Sequence, residues 1–331
     1  MCALSLAGYI AAALWVRPVY STADFLRFFG VFCLLSSLWG ITVWMARRDP
    51  PSIKVIIVFA VLFRLAMLPD SFSKAAIVTC DLGGVWLLWL LAKRLGEGNA
   101  AVMAYAWNPL VIKEFAGSGK IDAVWICLTL AGMYFNSSLG PALAALVKPA
   151  GLLLTPAFVK RGGWRALIAP VLALAALAAH YGVSIEAWAG HGTFNTAMFR
   201  LIPFERTAAL AIVTAVLALI AVYRYRKDDG SQQALLDHAI WITGAFLLTT
   251  PTFAPSNLTW ILPFAALRWS WFWLTLSGTI FLSYHASLEF SELKALVAIQ
   301  YAIPLFGWIC IRGLGAKPPS NDVASRHGTA T

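Results

Sequence analysis

Runs of about 20 mostly apolar residues follow one another along this chain with only short polar breaks. That is the length a helix needs to cross the hydrocarbon core of a bilayer. The candidate segments are residues 1–16, 28–46, 54–69, 75–92, 99–113, 121–136, 140–159, 165–183, 206–223, 234–252, 256–267, 269–286 and 294–312. They lack the alternating period of a membrane strand, and a spanning segment must satisfy its own backbone, so helices are expected rather than a barrel. Only 12% of the residues are Asp, Glu, Lys or Arg. A soluble domain carries about 25%, so a soluble enzyme and a disordered chain are both excluded. The five cysteines lie in apolar stretches without a CxxC pair and read as small buried hydrophobes. The expected fold is an all-α polytopic transmembrane bundle over residues 1–312. It has about 12 spans, some broken or re-entrant, and a polar tail at 313–331.

The formal net charge is +10. No basic patch is interleaved with exposed aromatics, so nucleic acid is not the expected partner; membrane lipids are. The Lys and Arg residues instead set orientation. Basic turns fall at Arg47-Arg48, Lys93-Arg94, Lys160-Arg161 with Arg165, Arg224 to Lys227, and Arg268. A cytoplasmic N-terminus puts all of them inside, in a multi-pass protein of the inner (cytoplasmic) membrane with a cytoplasmic C-terminus. One condition applies: segment 140–159, interrupted by Lys148-Pro149 and Pro156, enters and leaves on one side as a hairpin, since proline breaks a helix. The alternative is a full span that violates the charge rule once. In this topology Asp24, Asp70, Glu114, Asp122, Glu186, Glu205, Glu289 and Glu292 face outward, where carboxylate chemistry is expected.

The stretch from Tyr105 to Asp122 (YAWNPLVIKEFAGSGKID) is the most informative. An apolar helix stops at Asn108-Pro109, a Gly-rich turn follows, and Asp122 opens the next helix, where the dipole favours a carboxylate. Asp122 is thus either a first-turn aspartate or, with Glu114, a group turned toward an anionic-lipid or sugar substrate, with Lys113 and Lys120 to meet phosphate. Gly117 to Lys120 is not a phosphate loop, because the upstream glycine spacing and the preceding strand are missing.

The pattern YAWNPL…EFAGSG…D resembles the polyprenol-phosphate-sugar-dependent C-type glycosyltransferases (GT-C), and within them the bacterial α-mannosyltransferase branch. Leu146 to Pro156 is similar to that branch's lysine–leucine–proline hairpin, and Thr249 to Phe264 to its late outer turn and following helix. The resemblance runs in order from about residue 55 to 267. It implies a membrane glycosyltransferase that moves a sugar, mannose favoured, from a polyprenyl-phosphate donor to an envelope glycan or glycolipid. It also implies Asp122 as base or phosphate-site carboxylate, with Asp24 or Asp70 as its partner. Lys113, Lys120, Lys148, Arg200, Arg64, Asn108 and Glu114 are then the substrate-binding set. Such chemistry leaves room for a divalent metal, although no metal-ligand motif is visible.

The departures are specific. The long outer loop with paired aspartates that follows the family's second helix is reduced here to Asp70-Ser71-Phe72-Ser73-Lys74. The family's His-x-Asp reads Lys120-Ile121-Asp122, and its late His-Pro-Trp-Tyr reads Phe253-Ala254-Pro255-Ser256-Asn257. These losses favour, as a second reading, a degenerate lipid-binding or assembly subunit beside a partner membrane enzyme. A lipid or small-molecule transporter is the third; it lacks an internal repeat.

Intramembrane charge is costly, about 2.5–3.5 kcal/mol at a helix centre. Arg64 and Asp81 sit at similar depth on consecutive segments, so an interhelical pair is expected; the alternative is Arg64 on a lipid phosphate. The outer loop 184–205 carries His191, Asn195, Arg200 and Glu205, and is too long for a plain connector.

Overall fold

The computed structural model describes residues 7–8, 22–67, 72–182, 193–285 and 294–313. The expected first segment, Asp70 and the tail beyond 313 lie outside the described residues. The described chain is helical, with one isolated bridge between Phe194 and Thr252. Four helical stretches are long and apolar enough to cross a membrane: Asp24–Ala46, Lys74–Leu95, Pro149–His180 and Arg206–Lys227. Asp122–Phe135 and Ala295–Cys310 are shorter apolar helices. Large apolar side chains such as Leu34, Leu172 and Leu219 point outward, as they do in a bundle whose solvent is lipid.

The helices are α1 (Thr22–Ala46), α2 (Ile53–Met67), α3 (Phe72–Leu95), α4 (Asn99–Ala106), α5 (Pro109–Ile112), α6 (Asp122–Phe135) and α7 (Leu139–Val147). They continue as α8 (Thr155–Gly162), α9 (Ile168–Tyr181), α10 (Arg206–Lys227), α11 (Gln232–Thr249), α12 (Pro255–Leu258), α13 (Leu262–Leu267), α14 (Trp271–Thr279) and α15 (Lys294–Gly313). Several expected spans are interrupted. Segment 99–113 breaks at Asn108, segment 256–267 splits into α12 and α13, and segment 269–286 ends in the 3-10 turn Ile280–His285. Prolines at 109, 255 and 263 open the pieces that follow each break, at the helix position where a missing N–H costs least.

The hairpin reading of 140–159 fits the geometry. The chain turns at Lys148, whose extended backbone ends α7, and Pro149–Leu154 runs back along it as a 3-10 helix. A Cβ on Gly151 would lie 2.5 Å from Ala145 N and 2.6 Å from Pro141 O. Ala173 and Leu177 of α9 pack on the same helix, against Ala142 and Ala145. The run Pro149–His180 is therefore two arms, interrupted at Gly163 with φ 61°. Helix α7 is pressed on α6 through glycines: a Cβ on Gly140 would sit 2.4 Å from Leu128 O.

The basic turns gather at one end. Arg94 donates to Tyr134 O, and Gln232 Nε2 to Met133 O at 2.8 Å, both at the end of α6. Arg161 holds Asp228 through both oxygens, at 2.8 and 3.1 Å. Asp237 meets Arg268 at 2.5 Å and Arg224 at 3.7 Å, and Arg47 stacks on Trp269 and Trp271. Helix α6 runs from this end to Asp122 at the other.

Candidate functional site

The site is organised by the break in the fifth expected span, segment 99–113. Once a helix stops inside an apolar bundle, its last carbonyls need donors. Arg64, fully buried on α2, supplies them: Nη1 donates to Ala106 O at 2.8 Å and to Ala60 O at 3.1 Å. Its Nε meets Asp81 Oδ2 of α3 at 2.5 Å, and Tyr105 OH donates to Asp81 Oδ1 at 3.3 Å. The expected interhelical pair is present, and both partners are sealed from solvent. Asn108, expected to touch substrate, is occupied structurally. Its Oδ1 accepts from Leu110 N at 3.0 Å, and its Nδ2 donates to Ser277 Oγ at 2.8 Å.

After α5 the chain winds into a π-turn, Lys113–Gly117, closed by Ser118 N on Lys113 O at 2.8 Å. Wider turns of this kind recur where a helix re-aims side chains. Here Glu114 turns inward and is 2% exposed. Its Oε1 accepts from Lys113 Nζ at 2.7 Å and from Tyr284 OH. Lys113 also donates to Tyr284 OH and lies over its ring. Lys74 closes the turn from the side, with Nζ 3.2 Å from Gly117 O and its stem against Gly119 (φ 67°). A cavity of about 400 Å³ opens here, lined by Lys113, Glu114, Ser118, Lys120, Ser256 and Tyr284.

Asp24 is not among the residues that line this cavity. It lies in the first turn of α1, one turn before Phe28 on the same face. Phe28 packs 5.0 Å from the Tyr284 ring and under Lys113.

Asp122 heads a second cluster. It is 1% exposed in the first turn of α6. Its Oδ1 meets Lys148 Nζ at 2.8 Å and Trp260 Nε1 at 2.5 Å. The hairpin delivers Lys148 here because the α6–α7 glycine contact holds its tip against α6. Trp260 is stacked between Trp125 (5.1 Å) and Phe246 (6.1 Å). Lys148 keeps 30% of its side chain exposed. It has three donors and commits one to Asp122, so it retains capacity for a second anion. It faces a groove of about 630 Å³ between the hairpin arm and α10, walled by apolar residues such as Leu153, Pro156, Val213, Leu217 and Ala221.

One segment separates the two cavities. Thr250, Thr252, Asn257 and Trp260 line the groove, while Ala254, Pro255 and Ser256 line the polar cavity. The described end of the long loop before α10, from residue 193 on, is tied to this wall. Phe194 N donates to Pro251 O at 3.0 Å, and Phe253 N to Phe194 O at 2.9 Å. Asn195 Nδ2 reaches Phe253 O at 3.3 Å, and Gln300 Nε2 of α15 reaches Asn195 Oδ1 at 3.2 Å.

Of the residues singled out from sequence, Glu114, Lys113 and Lys120 converge on one cavity, Lys148 lines the other with Asp122 against it, and Asp24 lines neither. Arg64 and Asn108 hold the break between α4 and α5. Asp70 and the Arg200 side chain lie outside the described residues. Tyr284 and the anchoring role of Trp260 escaped the sequence reading. Trp260 stood in the recognised late segment, but nothing local gives Tyr284 away, since it arrives from 170 residues downstream of Glu114. Among the described residues there is no group of three or more His, Cys, Asp or Glu that could hold a metal ion. No family model, curated protein or solved structure matches this chain.

Proposed function

We propose that the protein is a membrane glycosyltransferase of the GT-C type. It uses a polyprenyl-phosphate sugar, mannose favoured, as donor and an envelope glycan or glycolipid as acceptor. In this reading about 12 crossings place both cavities at the outer face of the cytoplasmic membrane, with both termini inside. The observation that carries it is the 630 Å³ apolar groove that ends on the Lys148–Asp122–Trp260 cluster. A long apolar tail capped by one phosphate has the matching chemistry.

The groove takes the lipid tail and Lys148 takes the phosphate. Asp122 then works as the phosphate-site carboxylate, because its partner Lys148 is the cation that lines the groove. It holds the ammonium charged and aimed. The acceptor enters from the polar-cavity side, its hydroxyl reaching across the segment from Thr250 to Trp260 toward the donor, and Glu114, or Asp24 as the resemblance implies, takes the proton of that hydroxyl. The new bond joins the acceptor oxygen to the anomeric carbon. The bond between that carbon and the phosphate oxygen breaks, and polyprenyl phosphate leaves with its charge met by Lys148. Lys120 and Lys113 steer an anionic group at the cavity mouth. No step is routed through a metal.

Envelope glycans and polyprenyl-linked sugars are to be compared by mass spectrometry in a host lacking the gene. The host is complemented with wild type, Lys148→Ala, or Asp24→Asn with Asp122→Asn. A glycan restored by wild type alone is the expected result. Restoration by every variant favours the non-catalytic assembly subunit. An unchanged glycan and lipid profile refutes glycosyl transfer and favours transport.

A further inference from the structure

The groove continues past its apolar floor toward the basic end of the bundle. A second crevice of about 300 Å³ lies there between the hairpin arm and α10, and it shares Pro156 and Ala221 with the groove. Thr155, Val159, Leu167, Val222 and Tyr225 complete its wall. Leu167 and Val222 are 40% and 49% exposed, so the crevice is open toward the surroundings of the bundle and is not sealed core.

Its rim is cationic. Lys160 follows Val159 and lies with Nζ 5.1 Å from the Tyr225 ring centroid. Arg165 precedes Leu167 by two residues, beside Trp164. Arg226 lies one turn beyond Val222 on the same face of α10. All three are exposed, and none is ion-paired among the described residues. The nearby acids are already engaged: Asp228 is buried against Arg161, Asp229 accepts from Ser231 N, and Asp237 holds Arg268 and Arg224. Asp229 is the one of these that stays exposed, against three cations, so the rim keeps a positive balance.

We propose that this crevice seats one anionic phospholipid, with an acyl chain between the hairpin arm and α10 and its phosphate on Lys160, Arg165 and Arg226. The apolar wall selects a lipid over a soluble phosphate, and the net positive rim selects an anionic headgroup. The bound chain fills the space beside Pro156 and Ala221, where the arm leading back to Lys148 meets α10. The lipid therefore props the far side of the groove. This inference does not depend on glycosyl transfer.

The test is native mass spectrometry of the full chain, delipidated and then offered equal amounts of phosphatidylglycerol and phosphatidylcholine. Wild type is expected to retain phosphatidylglycerol preferentially. Lys160→Ala/Arg165→Ala/Arg226→Ala is expected to lose at least about tenfold of that retention. Val222→Trp fills the crevice with the rim charges intact and is expected to lose it too. Arg48→Ala, at another basic turn, is expected to keep it. Melting curves confirm that each variant is folded. Equal retention of both lipids by wild type, or full retention by both the triple variant and Val222→Trp, overturns the proposal. So does displacement of the lipid by soluble glycerol phosphate, which marks a simple ion site.

Discussion

Arg64→Ala tests the element that holds the broken span. Arg64 and Asp81 are 0% and 1% exposed. Without Arg64, Asp81 keeps the 3.3 Å bond from Tyr105 as its side-chain partner among the described residues. Stranding one member of a buried pair costs about 3–5 kcal/mol. The Ala106 carbonyl at the helix break also loses a donor, at about 1 kcal/mol, while the Ala60 carbonyl keeps its place in the α2 ladder. The expected total is therefore about 5 kcal/mol, read as a drop in the melting temperature of detergent-solubilised protein by size-exclusion fluorescence. Adding Asp81→Ala removes the stranded charge and leaves mainly the carbonyl loss and the cavity. The double variant should accordingly be more stable than Arg64→Ala alone, with a coupling of about 2–4 kcal/mol. Arg64→Met/Asp81→Leu fills the space with apolar atoms and should approach wild type, as buried pairs replaced by packed hydrophobes do. Losses that simply add, with the double variant less stable than either single, would refute the reasoning, because they would mean that neither charge depends on the other for burial.

Lys148→Ala should lower turnover of a polyprenyl-phosphate sugar about a hundredfold in nanodiscs, the usual cost of removing one preorganised charge partner. Adding Asp122→Asn should cost little more if the carboxylate acts through the lysine. Gly140→Ala drives a Cβ to 2.4 Å from Leu128 O and should destabilise the protein by about 1–3 kcal/mol in a thermal melt. It should also weaken lipid-donor binding, since the hairpin tip is displaced from Asp122. Glu97, in the turn after α3, has its carboxyl raised above the ordinary value by burial, with Arg268 and Arg47 pulling it back. The folded state then binds this proton more tightly than the unfolded state. Its stabilising contribution is full below the unfolded pKa and is lost as pH rises through the folded one. Glu97→Gln should therefore gain melting temperature relative to wild type as pH rises through that window, and a gain that grows on acidification would contradict the sign.

Much of the architecture was legible in one dimension because the bilayer imposes one-dimensional rules. Apolar run length announces helices, the basic turns announce a shared end, and Lys148-Pro149 announces a chain reversal that the Gly151 contact bears out. The Arg64–Asp81 pair was readable for the same reason, since two opposite charges at equal depth have few alternatives to each other. What the residues could not announce is how the broken pieces fold back. Asn108 caps Leu110 locally, but its second bond, to Ser277, comes from a helix 169 residues away and could not be read from the neighbouring sequence. Glu114 and Asp122 looked like one carboxylate set, yet the segment from Thr250 to Trp260 divides them between two cavities. Tyr284 reaches Glu114, and Gln300 reaches Asn195, only through packing of the last helices. Local pattern determines where a backbone must be helical and where it must stop. Which side chains then share a cavity is decided by long-range contacts, because a buried carboxylate takes whichever donor the tertiary packing brings to it.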